Sequence, residues 1–139
     1  MTVANRKIII TTQGNCDTID VTAKVAMEIN NSGVANGIAC IFISGSTAGI
    51  TTIENEAGAV NDFQDMWDRN VPREIPYKHD MRWGGGNGYS HVRAALLGPS
   101  LVIPVTNGRM TLGTWQQLVV VDFDNRPRSR EIVIQIVGE

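Results

Sequence analysis

The sequence predicts an α+β fold, mainly an antiparallel β-sandwich carrying two or three helices. Three observations carry this. Short apolar, β-branched segments recur along the chain and are separated by tight polar turns, which implies antiparallel pairing of sequential strands. Two to three stretches between them have helical spacing instead. No internal repeat and no linker composition interrupts the pattern, so residues 1–139 read as a single domain.

Taken in order, Ile8 to Thr12 is a β-branched run, with Asn5, Arg6 and Lys7 available to extend it at an edge. Gly14-Asn15 is a turn, and Thr18 to Val21 alternates polar with apolar as a short strand. Thr22 is placed to cap a helix through Asn31, whose apolar face is Ala23, Ala26 and Ile29, and Gly33 stops it. Ile38 to Ile43 is continuously apolar, which predicts a strand buried on both faces. Small residues at Ser44 to Ala48 break it, and Ile50 to Glu54 resumes as strand. Gly58 to Asn70 is helical, with Val60, Phe63 and Trp67 on one stripe, and Pro72 ends it. Tyr89 to Leu97 is a short helix capped by Ser90. Leu101 to Val105 leads through the hairpin turn Asn107-Gly108 into one long strand, Arg109 to Phe123, with Gly113 as a bulge. Asp124 to Pro127 turns the chain into a last strand, Arg130 to Val137.

Composition narrows the function classes. With 42% hydrophobic and 19% charged residues the chain is globular in type. Its net charge of -2 supplies no basic footprint for nucleic acid. No apolar run approaches the ~20 residues of a membrane span, and no signal-peptide pattern opens the chain, which makes a cytoplasmic location the expectation. Cys16 and Cys40 fit that setting as free thiols.

Tyr77 to His91, YKHDMRWGGGNGYSH, holds both histidines, and four of its residues are glycine. Its glycine content predicts a loop, and its mixture of imidazole, carboxylate, guanidinium and amide groups predicts a site. His79 and His91 can meet across the glycines. Together with Asp80, Glu54 or Glu56 they suit an open metal site for an ion such as Zn²⁺. Alternatively, one of them serves as a general acid or base, or both are ordinary loop histidines. The run ISGSTAGITTIENE, Ile43 to Glu56, sets several hydroxyls beside two glycines. It suits either a phosphate cradle of backbone amides or a tight β-arch. Asn87 can make a directed hydrogen bond, and Arg126, Arg128 and Arg130 cluster late, where guanidinium suits phosphate or pairs with surface acids. No G-x-S-x-G elbow is present.

The segments GSTAGITTIENE, YKHDMRWGGGNGYSH, LLGPSLVIP, NGRMTLGTWQQ and RPRSR, in that order, resemble the YjbQ family, whose members are described as secondary thiamine-phosphate synthases. The resemblance spans nearly the whole chain. It implies a β-sandwich core, a homotrimer, and an enzyme that joins a pyrimidine methyl diphosphate to a thiazole phosphate and releases pyrophosphate. Carried over by position, it places the family's loop histidines at His79 and His91, its asparagine at Asn87, its glutamine at Gln116, its acidic residue at Glu54 and its arginine at Arg130. Here Gly45 stands where many members have a third histidine, and Ala57 where many have an aspartate, so a three-histidine metal site is absent. The resulting expectation gives His91, His79 and Glu54 catalytic roles. Ser46, Thr47, Thr51, Asn87, Gln116 and Arg130 bind substrate, and His79 and His91 are the candidate metal ligands. Mg²⁺ would enter largely on substrate oxygens. Its alternatives are a protein that binds a metal or a small phosphorylated metabolite without turnover, and a hydrolase of such a metabolite.

Overall fold

A computed structural model describes residues 1–139. The elements are β1 (Thr2–Thr12), β2 (Asp17–Asp20), α1 (Thr22–Ser32), β3 (Gly37–Ile43), β4 (Ala48–Ile53), α2 (Ala57–Asn70), α3 (Lys78–Trp83), α4 (Gly88–Leu97), β5 (Ser100–Thr106), β6 (Arg109–Met110), β7 (Gln117–Asp122) and β8 (Arg128–Gly138). They form two antiparallel sheets, one ordered β1-β8-β3-β5-β6 and the other β2-β7-β4. The predicted α+β sandwich is present, with four helices.

Alternation in the strands builds the core. The inward residues of β3 and β8, namely Ala39, Ile41, Ile43, Ile132, Ile134 and Ile136, are fully buried. They meet Ala48 and Ile50 of β4, Leu118 and Val120 of β7, and Val25 and Ile29 of α1. The opposite face of the small sheet carries a second cluster: Val119, Val121 and Phe123 pack against Trp67 of α2 and Tyr89 and Ala94 of α4. Trp67 lies edge-on to Phe123, with ring centroids 4.9 Å apart. The molecule is thus layered as large sheet, small sheet, helices, and β7 is the strand with cover on both sides.

The structure corrects several expectations. The doubly buried strand is β7, not the Ile38–Ile43 run. On β3 the outward Ile38 and Phe42 are 47% and 41% exposed, because no layer of this chain covers that face. The predicted long strand from Arg109 to Phe123 is two strands in different sheets. Gly113 is not a bulge; its carbonyl accepts from the Gln116 amide in the turn that carries the chain from one sheet to the other. Thr22 does not cap α1. Asp20 Oδ1 accepts from its amide, and the Thr22 hydroxyl instead accepts from Leu118 N at 2.9 Å. Ser90 lies inside α4, buried, and donates to the Phe123 carbonyl. Most consequentially, Tyr77 to His91 is not one loop. Its glycines are concentrated at 84–88, which leaves Lys78–Trp83 free to form α3, ended by Gly84 in the left-handed conformation (φ 70°).

Candidate functional site

The short α3 and the start of α4 face each other across Gly84–Asn87. Gly88 permits the approach: a Cβ there would lie 2.6 Å from Tyr77 Cβ, and its amide donates to Asp80 Oδ1 at 2.8 Å. The closure brings the rings of His79 and His91 to 4.4 Å between centroids, tilted by 42°. His79 Nδ1 is buried without a hydrogen-bond partner, 3.6 Å from Asp80 Oδ1. Burial lowers the His91 pKa below the ordinary imidazole value, and the neighbouring His79 lowers it further. Asp124, Asp80 and the Ser46 backbone pull the other way without reversing the shift. His91 is therefore biased to the neutral form, which can take up a proton.

His91 lines a cleft of about 270 Å³ with Gly45, Ser46, Ala48, Ala94, Ala95 and Pro99. Beneath Gly45 lies a buried ionic network at the junction of β7 and β8. Arg130 grips Asp122 through Nε (2.7 Å) and Nη2 (3.0 Å), and Nη2 also donates to the Thr47 hydroxyl at 2.6 Å. Thr12 donates a further bond to Asp122 Oδ2. Asp124, with no exposed side-chain surface, accepts from Thr47 (3.0 Å), Arg128 Nε (2.7 Å), Asn87 Nδ2 (3.3 Å) and the Asn125 amide (2.8 Å). Burial alone pushes its carboxyl up, but these donors outweigh it and hold the pKa below the usual carboxylate range. Asp124 thereby ties together the Ser46–Thr47 wall, the glycine segment and β8.

One donor of this network is left over. Arg130 Nη1 makes no hydrogen bond within the chain, and it lies 2.5 Å from the position a Cβ on Gly45 would take. Gly45 also has φ 116°, a conformation that L side chains rarely adopt. Gly45 thus makes room for a guanidinium edge against the wall of the cleft that His91 also lines.

Of the predicted site residues, Ser46, Thr47, His79, Asn87, His91 and Arg130 come together here. The Thr47 hydroxyl is engaged on both sides, by Arg130 and Asp124. Thr51 and Gln116 lie elsewhere, lining a separate cavity of about 270 Å³ with Leu101, Ile103 and Leu112. Gln116 donates to the Thr52 hydroxyl there and accepts from the Gly113 amide, each at 3.0 Å. Glu54 is exposed, just past the end of β4. For a metal, no group of three or more histidine, cysteine, aspartate or glutamate side chains converges, so an ion held by His79 and His91 would need water or substrate for its remaining ligands. Asp122 and Asp124 were missed from sequence, where Asp124 to Pro127 read as a plain turn, although Arg128 was noted in the late arginine cluster. The available signal was two carboxylates alternating at the end of a wholly apolar strand, followed by alternating arginines.

Fold and site together define a two-sheet α+β protein with a paired-histidine cleft over a buried aspartate–arginine network. The chain belongs to the YjbQ-like UPF0047 family, whose model, described as "UPF0047 protein YjbQ-like", matches residues 6–139. A UPF0047 protein of Methanothermobacter thermautotrophicus is 36% identical over 139 residues, covering 100% of this chain and 95% of that one. UPF0047 protein YugU of Bacillus subtilis is 36% identical over 121 residues, covering 86% and 89%. Among solved structures, a YbjQ-like protein of unknown function from Sulfolobus solfataricus superposes with a TM-score of 0.94 at 31% identity, covering 99% of both chains.

Proposed function

We propose that the cleft binds the phosphate of a small phosphorylated metabolite and that the protein is a transferase of the thiamine-phosphate synthase type. The observation that carries this is Arg130 Nη1, which makes no bond within the chain and abuts Gly45, a residue of the cleft that Ser46 and the neutral-biased His91 also line. A guanidinium edge and small-residue backbone suit a phosphate oxygen. In the proposed reaction the thiazole nitrogen attacks the pyrimidine methylene carbon as the carbon–oxygen bond to the diphosphate breaks, and the bonding pair leaves with pyrophosphate. Arg130 stabilises the departing charge, the histidine pair handles protons at the diphosphate, and Asn87, fixed by Asp124, orients the substrate. Mg²⁺ would ride on the diphosphate oxygens.

Purified protein incubated with both precursors and Mg²⁺ should release pyrophosphate and form thiamine phosphate. His91→Ala should lower that rate by roughly 10²-fold or more. Full activity in the variant would refute the role given to His91, and free phosphate without a coupled product would indicate the hydrolase instead.

The unpartnered Nδ1 of His79, close to a second imidazole, favours one further reading: a metal held by the pair, with water or substrate completing its shell. Stoichiometric zinc in untagged protein, lost in both His79→Ala and His91→Ala, would support it.

We also propose that the exposed apolar face of the large sheet, with Ile9, Ile38, Phe42 and Val102, is covered by other copies of the chain in a homotrimer.

A further inference from the structure

The helix that presents His91 to the cleft turns a different face toward a second, more enclosed cavity. This cavity has a volume of about 130 Å³ and is lined by Asn15, Cys16, Gln64, Asp68, Arg73, Tyr89 and Arg93. No residue lines both it and the histidine cleft. Tyr89 is only 2% exposed, yet its hydroxyl has no hydrogen-bond partner in the chain. A buried phenol left so is destabilising unless something occupies the space beside it.

The surroundings say what that occupant is. Two guanidinium groups flank the Tyr89 ring, with Arg73 Cζ 5.2 Å and Arg93 Cζ 5.1 Å from its centroid. Arg93 is 2% exposed. Its Nε and Nη2 donate to the Val71 carbonyl, and Nη2 also meets Asp68 Oδ1 at 3.2 Å, which leaves Nη1 with no bond. Arg73 makes no ion pair and no side-chain hydrogen bond. One carboxylate lines the cavity against these two cations, Asp68, whose side chain is 66% exposed and therefore well screened, while Asp17 acts on the Cys16 thiol from outside the lining. Burial pushes the Cys16 thiol up to about 11, so it stays neutral and does not repel an anion. Free donors thus outnumber acceptors in a lining with an excess of one positive charge. At about 30 Å³ per water the space holds roughly four waters or a single tetrahedral oxyanion, but not a nucleotide.

We infer that this cavity is a binding site for a small oxyanion of the phosphate class, held by Arg73, Arg93 and the Tyr89 hydroxyl. The Asn15–Cys16 turn closes one side with both residues at positive φ (55° and 68°), a backbone state uncommon outside glycine. Because Tyr89 and His91 share one helical turn, an anion here braces the segment that carries the catalytic imidazole.

The test is a titration of the full-length protein with inorganic phosphate at constant ionic strength, followed by nitrogen–proton NMR of the amide groups, including the side chains of Asn15 and Gln64. Saturable shifts at Asn15, Gln64, Tyr89 and Arg93 are expected. Arg73→Ala, an exposed change that leaves the core intact, should weaken binding by about ten-fold or more, and Tyr89→Phe by several-fold. His91→Ala should leave these shifts in place, which separates this site from phosphate bound in the histidine cleft. Glycerol phosphate, titrated separately, distinguishes the source. Equal shifts by both ligands mean a phosphomonoester whose ester arm faces solvent, and shifts by phosphate alone mean the free anion. Saturable shifts confined to Ser46 and His91, no saturable shift at all, or unchanged affinity in both Arg73→Ala and Tyr89→Phe would each overturn the inference.

Discussion

Gly45 and Arg130 are fitted to each other. A side chain at 45 would need both a left-handed backbone and the space held by Arg130 Nη1. Gly45→His should therefore destabilise the protein by about 1–3 kcal/mol. Urea unfolding measures this, and an unchanged midpoint would show that Arg130 can swing aside. His91 gives a second expectation at this scale. Its folded pKa lies below that of the unfolded imidazole. Its contribution to stability is therefore complete above the ordinary value of about 6.5 and is lost as pH falls from there through the lowered folded value. Unfolding followed from about pH 7.5 downward should show a loss that His91→Gln lacks, above the acidic range where Asp124 loses its own contribution. Individual site residues were legible from sequence where chemistry is unusual for its context, as with two imidazoles among glycines. Asp122 and Asp124 were not, because a buried acid and a surface turn acid look alike until the partner arginine is placed.

Among the elements, the α3–α4 pair holds the clearest lesson. Glycine content averaged over Tyr77 to His91 suggests a loop, yet the glycines occupy one end and the remainder is helical. Gly88 sets how closely the two helices approach. Gly88→Ala should force Tyr77 and Asp80 away, at a cost of about 1–3 kcal/mol. It should also move the His91 titration, read by NMR, back toward the ordinary imidazole value as His79 withdraws. An unaltered titration would mean that the histidine contact does not depend on this glycine. Strands were legible where apolar residues alternate, as in β8. The 109–123 segment misled because apolar residues on both sides of a sheet crossing read as one continuous strand.

At the scale of the whole molecule, the α+β class, the antiparallel pairing and the family were legible, since they depend on patterns spread over the full chain. Which strand receives cover on both faces was not, because it depends on where α2 and α4 land. The uncovered outer face of β3 and β5 bears on assembly. If copies of the chain cover it, Phe42→Glu should convert a trimer to smaller species in sedimentation while leaving the monomer's circular dichroism intact. A monomeric wild type would remove the proposal.

The layering also sets the order in which the site can come apart. β7, the turn after it and the start of β8 carry the aspartates and Arg130 within the most deeply packed part of the molecule, whereas α3 has no buried residue at all. Amide exchange should therefore be fastest in α3 and slowest in β7. One imidazole of the pair thus rests on the segment expected to open first, and the other on a helix packed against the core. Excursions of α3 alone would part the histidines and expose His91 to solvent while leaving the anchored guanidinium in place.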